Sequence, residues 1–222
     1  MNNLPTVTKN LLIINILCFF GAVVASRYGI DAEKFLSLHF FMASDFNLAQ
    51  LVTYMFMHAN FQHIFFNMFA LWMFGRVLEQ TWGPKRFLTF YLVCGIGAGL
   101  IQELVQFIEY ETVYAGYEGV NIGAGVIPMD EFLNLMRTVG ASGAVYGILL
   151  AFGMTYPNSE MFVFPLPMAI KAKYFVIGYV ILEIVLGLSA NDGVAHFAHL
   201  GGMLFGLALM IYWKKKNGNM YY

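Results

Sequence analysis

Ala198-His199-Leu200-Gly201-Gly202 lies inside the apolar run Val194–Trp213, and Gly140-Ala141-Ser142-Gly143 opens the apolar run Ala141–Tyr156. Each stretch sets one polar, reactive side chain among glycines, in a segment whose other residues suit hydrocarbon. Polar groups at such depth are expensive to keep, so they mark sites of function.

The surrounding composition is that of a membrane protein. Of 222 residues, 59% are hydrophobic and 11% charged, against about 45–50% and about 25% in soluble domains. Mean hydropathy is +0.66. A net charge of -1 carries no footprint of a nucleic-acid partner. Cys18 and Cys94 each fall mid-run and read as buried free thiols rather than a disulfide. The chain has no CxxC pair and no glycine-rich phosphate loop.

Crossing a bilayer takes roughly 20 apolar residues. Six segments qualify: Asn10–Ser26, Phe61–Leu78, Phe87–Phe107, Ala141–Tyr156, Tyr174–Ser189 and Val194–Trp213. The fourth and fifth are short, and Glu183 interrupts the fifth. The first is long for the core of a signal peptide and reads as an uncleaved helix. Lys and Arg set the orientation. With the N-terminus in the cytoplasm, Lys9, Arg76, Lys85, Arg86, Lys171, Lys173, Lys214, Lys215 and Lys216 fall inside, and Arg27, Lys34 and Arg137 outside. Nine against three predicts six helices with both termini cytoplasmic. The chain reads as one domain, 1–222, all-α. Of the two long outer connections, Arg27–Asn60 suits short amphipathic pieces at the interface. The other, Ile108–Gly140, includes Pro128–Met136, a short helix with proline near its start.

The polar residues of the second, fourth and sixth segments share one depth. His63 and Asn67 are four apart and lie on one helix face. Ser142 opens the fourth segment, and His196 and His199 stand three apart in the sixth. All three segments enter from outside, and at 1.5 Å per residue His63, Asn67, Ser142 and His199 lie within about 10 Å of the helix starts. Gly143 with Gly147, and Gly202 with Gly206, are GxxxG pairs that let helices approach closely. Packed through them, the fourth and sixth segments bring Ser142 to a histidine able to accept its proton. His199, standing before Gly201-Gly202, is preferred to His196. His63 and Asn67 then supply hydrogen bonds to an oxyanion. No carboxylate occupies that depth on the three segments, so the reading is a Ser–His pair, with the place of Glu183 left open. Each residue also has a plainer reading. Ser142 can cap its helix, His63 and Asn67 can bond to neighbouring helices, Tyr146 can simply pack, and His39 and His58 suit structural roles at the outer interface. Two rival functions fit less well: a zinc site of His63, His196 and His199 has no HExxH or nearby carboxylate base beside it, and a solute pathway requires polar groups along the full depth, whereas these cluster near the outer face.

These motifs resemble the rhomboid family of intramembrane serine proteases. The resemblance runs from the first to the last segment. It rests on His58-x4-His63-x3-Asn67, Gly140-x-Ser142-Gly143 and Ala198-His199-Leu200-Gly201-Gly202-x3-Gly206, in that order on the second, fourth and sixth segments. It implies a six-helix bundle with Ser142 as nucleophile and His199 as general base. Gly140, His63, Asn67 and the Ser142 backbone N–H would line the oxyanion and substrate site, with Tyr146 packed beside the histidine. The connection after the first helix would be a partly embedded hairpin, and the fifth helix with Ala190–Val194 a lateral gate and cap. The expected substrates are single-span membrane proteins, cut near the outer face without metal or cofactor. The compact form suggests a prokaryotic plasma (inner) membrane. The Tyr110–Val139 connection is long for the family, which bears on substrate entry. A non-catalytic relative that binds membrane proteins is the alternative.

Overall fold

The computed structural model describes residues 4–162, 168–189 and 193–217, and helix dominates them. Helix α1 (Thr6–Arg27) begins at Pro5 without a side-chain cap of its own. Its first N–H groups, which have no intrahelical acceptor, are met from elsewhere in the chain. The carboxylate of Glu79 accepts hydrogen bonds from Val7 N at 2.9 Å, Thr8 N at 2.7 Å and Thr8 Oγ1 at 2.8 Å. An acid at a helix N-terminus satisfies unpaired donors and the positive end of the dipole together.

The connection after α1 holds α2 (Ala32–Leu36), a two-residue strand β1 (Leu38–His39) and α3 (Gln50–Thr53), which runs into one 3-10 turn at Tyr54–Phe56. The next helical run has three parts: α4 (Phe61–Ala70), a π turn at Leu71–Gly75, and α5 (Arg76–Trp82). It extends one turn past the expected Leu78. Gly83, with φ +82°, reverses the chain, and Pro84 opens α6 (Pro84–Glu109), where its missing N–H costs nothing. The helix continues through a π turn to Tyr114. The second connection carries a hairpin of β2 (Gly119–Asn121) and β3 (Val126–Pro128), then α7 (Met129–Leu135) and β4 (Arg137–Thr138). Next come α8 (Ser142–Thr155), the strand pair β5 (Glu160–Phe162) and β6 (Ala169–Lys171), α9 (Ala172–Ser189) and α10 (His196–Asn217).

Among the described residues, four helical stretches are long and apolar enough to cross a membrane: Thr6–Arg27, Pro84–Tyr114, Ala172–Ser189 and His196–Lys216. Ser142–Thr155 is apolar and shorter. The short helix expected at Pro128–Met136 is α7, with Pro128 as its N-cap. The mostly helical architecture agrees with the all-α expectation, and among the described residues three short antiparallel strand pairs lie in the connections. These are β1–β4, β2–β3 and β5–β6. Backbone groups outside helices still need partners, and two or three residues of ladder supply them. Of the expected cap at Ala190–Val194, residues 190–192 lie outside the described residues.

Helices α6, α8 and α10 form the centre. Phe87, Phe90, Tyr91, Cys94, Ala144, Ile148, Ala151 and Met210 are all buried there. Apolar residues such as Leu17, Phe20 and Val24 on α1, and Ile177, Ile181 and Val185 on α9, instead face outward. A helix that shows apolar residues on its outer face suits a lipid surround rather than water.

Glycines bring the central helices together. A Cβ at Gly202 would overlap the carbonyl group of Gly143, with the carbonyl carbon 2.6 Å away. One at Gly147 would meet Cys94 Cβ at 2.8 Å and Gly202 O at 3.0 Å. At one end of the bundle the Trp213 ring of α10 packs edge-on to Trp82 at 5.8 Å, and Arg86 lies 4.5 Å over its face.

Candidate active site

The segment entering α8 is held from both sides before it delivers Ser142. Thr138 and Arg137 of β4 pair with Leu38 and His39 of β1. Gly140 N then donates to Tyr54 O at 2.9 Å, and Tyr54 Oη donates to Gly95 O of α6 at 2.6 Å. Gly140 has φ +123°, open to glycine and strained for other residues, and a Cβ there would sit 2.7 Å from His63 Cε1 and Nε2. The backbone therefore passes directly against the His63 ring.

Ala141 occupies the N-cap position of α8, and the helix has no side-chain cap. Ser142 is the first helical residue, and its hydroxyl is used elsewhere. His199 Nε2 lies 2.9 Å from Ser142 Oγ. The capping role open to this serine is thus not the one it plays. As the first residue of the helix, Ser142 also presents a backbone N–H with no intrahelical acceptor, at the positive end of the α8 dipole. The ring of Tyr146, one turn along, stacks on His199 with centroids 4.1 Å apart and planes 5° from parallel.

His63 is half-buried at the start of α4, where the Asn60 side chain caps the helix by accepting from His63 N at 2.8 Å. Asn67 is buried one turn on, and its Nδ2 donates to His63 O at 3.0 Å. An amide nitrogen carries two N–H groups, so this bond uses one of them. His58 packs edge-on to His63 at 5.0 Å. Burial, and after it the facing His63, push the His58 imidazole down to about 4. His58 is therefore neutral at physiological pH and behaves as part of the packing behind His63. His39 is buried in β1, its N–H donated to Gln50 Oε1 at 3.3 Å.

Ser142, His199, His63, Gly140 and Tyr146 thus come together from α4, α8, α10 and the strand-like entry to α8, with Asn67 one turn below His63. The pair read from the sequence has a third neighbour that the reading left open. Glu183 of α9 is 3% exposed, and its Oε2 lies 3.0 Å from His199 Nδ1 and 2.7 Å from His196 Nδ1. His196 faces Glu183, and the imidazole that meets Ser142 is that of His199. The possible zinc set also changes. Among the described residues, the group of three whose ligand atoms converge, within 4.8 Å, is Glu183, His196 and His199, without His63. Two imidazole N–H groups sharing one carboxylate oxygen account for that convergence by hydrogen bonding alone.

Chemically, a serine hydroxyl paired with an imidazole nitrogen is an activated nucleophile. Backbone and side-chain donors beside it are the means of holding a developing negative oxygen. The only signal that Glu183 belonged here was its cost, an ionisable side chain in an apolar helix.

Known proteins place this geometry in context. The sequence profile of the rhomboid domain matches residues 45–216. The chain is 27% identical over 216 residues to rhomboid protease AarA of Providencia stuartii, covering 92% of this chain and 71% of AarA. It is 29% identical to RHOMBOID-like protein 12, mitochondrial, of Arabidopsis thaliana, over 84% of this chain and 54% of that protein. It is 28% identical to rhomboid-like protease 3 of Toxoplasma gondii, over 78% of this chain and 54% of that protein. The chain therefore spans about half the length of the latter two. The profile takes in α4, α8, α9 and α10, the four helices that carry the residues gathered around Ser142, and the chain belongs to the rhomboid family.

Proposed function

We propose that this protein is an intramembrane serine endopeptidase that cuts single-span membrane proteins near the outer face of a plasma membrane. The observation that carries the reading is the 2.9 Å contact between Ser142 Oγ and His199 Nε2 at the start of a buried helix. His199 takes the hydroxyl proton as Oγ attacks the scissile carbonyl carbon. The carbonyl oxygen becomes an oxyanion, held by the Ser142 N–H, His63 and Asn67. The imidazolium returns the proton to the leaving amine, which leaves an acyl-serine. Water, deprotonated by His199, then hydrolyses that ester and frees Ser142.

The same reading covers the architecture. Six crossings with both termini cytoplasmic follow from the Lys and Arg placement, and residues 1–222 act as one membrane domain. The Glu79 cap on α1 supports its inclusion in that unit. Ser142, His63 and His199 then lie in the outer leaflet, in a cavity open to outside water. A helical substrate shields its peptide bonds by internal hydrogen bonding, so it must unwind locally to reach Oγ. No metal or cofactor enters the scheme.

The test is cleavage of a transmembrane substrate by the full chain in lipid vesicles. Ser142→Ala and His199→Ala should each reduce turnover by roughly 10⁴- to 10⁶-fold, with thermal unfolding unchanged. Undiminished cleavage by Ser142→Ala removes the assignment. Folded wild type that binds the substrate without cutting it supports the non-catalytic alternative.

A further inference from the structure

Glu183 has no evident reason to sit where it does unless it serves its neighbours. Ile181, Leu182, Ile184 and Val185 around it on α9 are all exposed and apolar, while Glu183 itself is buried. A buried carboxylate is unfavourable unless it is paired and hydrogen-bonded. Here Oε2 meets His196 Nδ1 at 2.7 Å and His199 Nδ1 at 3.0 Å, and the Tyr146 hydroxyl faces the same carboxylate from α8. The two imidazoles stand nearly perpendicular, at 88°, with centroids 6.2 Å apart.

One ionised oxygen approached by two ring nitrogens can only accept, so each Nδ1 must carry its hydrogen. For His199 this fixes the tautomer. With Nδ1 protonated, the lone pair sits on Nε2, the atom that faces Ser142 Oγ. The opposite tautomer would turn an N–H toward the serine and leave no base.

We propose that Glu183 is a positioning residue of the active site. It holds His199 in the tautomer that accepts the Ser142 proton and stabilises the imidazolium formed when it does, while His196 braces the carboxylate. The proposal rests on the serine-protease reading above. During the transfer the proton passes from Oγ to Nε2, the Nδ1 hydrogen stays on the ring, and Glu183 remains ionised throughout. The array therefore draws on three helices: Ser142 from α8, Glu183 from α9 and His199 from α10.

The experiment measures kcat and KM for a transmembrane substrate with the full chain in vesicles, for wild type, Glu183→Gln, Glu183→Asp and His196→Ala, alongside thermal unfolding. Glu183→Gln keeps the shape and removes the charge. It should lower kcat by roughly 10²- to 10⁴-fold with KM within about threefold of wild type. Glu183→Asp should recover part of the loss. His196→Ala, which leaves His199 and Glu183 in place, should cost about tenfold in kcat. Wild-type kcat in Glu183→Gln overturns the proposal while leaving the protease reading intact, and inactive wild type removes both. Should Glu183→Gln not fold, the ¹⁵N shifts of His199 in wild type decide. A protonated Nδ1 with unprotonated Nε2 supports the proposal, and the reverse overturns it. Loss of wild-type cleavage on chelation, restored by added zinc, would also overturn it and assign the cluster to a metal.

Discussion

Ser142 is the first residue of α8, yet its hydroxyl makes no cap, and the partner it has is an imidazole from another helix. Single residues of this kind are legible in sequence when several of them agree on depth. Ser142, His199 and His63 each sit near the start of an apolar run, and Gly140 and Tyr146 flank the serine at fixed offsets. Glu183 offers no such agreement. Which way it faces depends on the rotation of α9, and apolar residues on both sides of it leave no polar stripe from which to read that rotation. Asn67 is a different case. Its side chain spends one N–H on the carbonyl of His63, while His63 lies directly against Gly140. Replacing either by alanine should lower kcat by roughly 10- to 1000-fold, as expected for a lost oxyanion donor. The larger effect should come from His63. Steady-state kinetics on the two variants check this, and wild-type rates in both would take them out of the site.

At the scale of elements, the contact between α8 and α10 decides whether Ser142 and His199 meet. Its glycines are readable as GxxxG pairs, and the structure gives the reason each must be small. The Gly202 position has no room because the Gly143 carbonyl fills it, whereas a Cβ at Gly178 of α9 would meet nothing within 4 Å. Gly202→Val should therefore push α10 from α8, cost about 1–3 kcal/mol of stability, and reduce cleavage by at least about 100-fold. Gly178→Ala should leave both unchanged. Unfolding curves and turnover for the pair provide the comparison, and a fully active Gly202→Val would deny that the close approach assembles the site. Long helices are legible because twenty apolar residues leave an unmistakable signal. The strand pairs are not, because two or three residues are too few for alternation to show. Yet the β1–β4 pair and the Gly140–Tyr54 bond aim Ser142, so part of what positions the site is invisible in the sequence. The cap from Glu79 to α1 is likewise a contact between residues more than seventy positions apart, with no local pattern to announce it.

At the scale of the molecule, apolar side chains face outward, and the groups able to do chemistry gather around Ser142. The outward Leu17, Phe20, Ile177 and Ile181 fit lipid, and the cluster of Ser142, His63, His199, His196 and Glu183 lies at the heads of α4, α8 and α10 and the tail of α9. The proposed activity requires Ser142 to be a nucleophile activated by His199. The most direct measurement is labelling of the purified full chain in membranes with a serine-reactive fluorophosphonate probe, comparing wild type with Ser142→Ala and His199→Ala. A covalent adduct should form on Ser142 in wild type and in neither variant. Labelling that persists in Ser142→Ala, or folded wild type that resists the probe, would contradict that role.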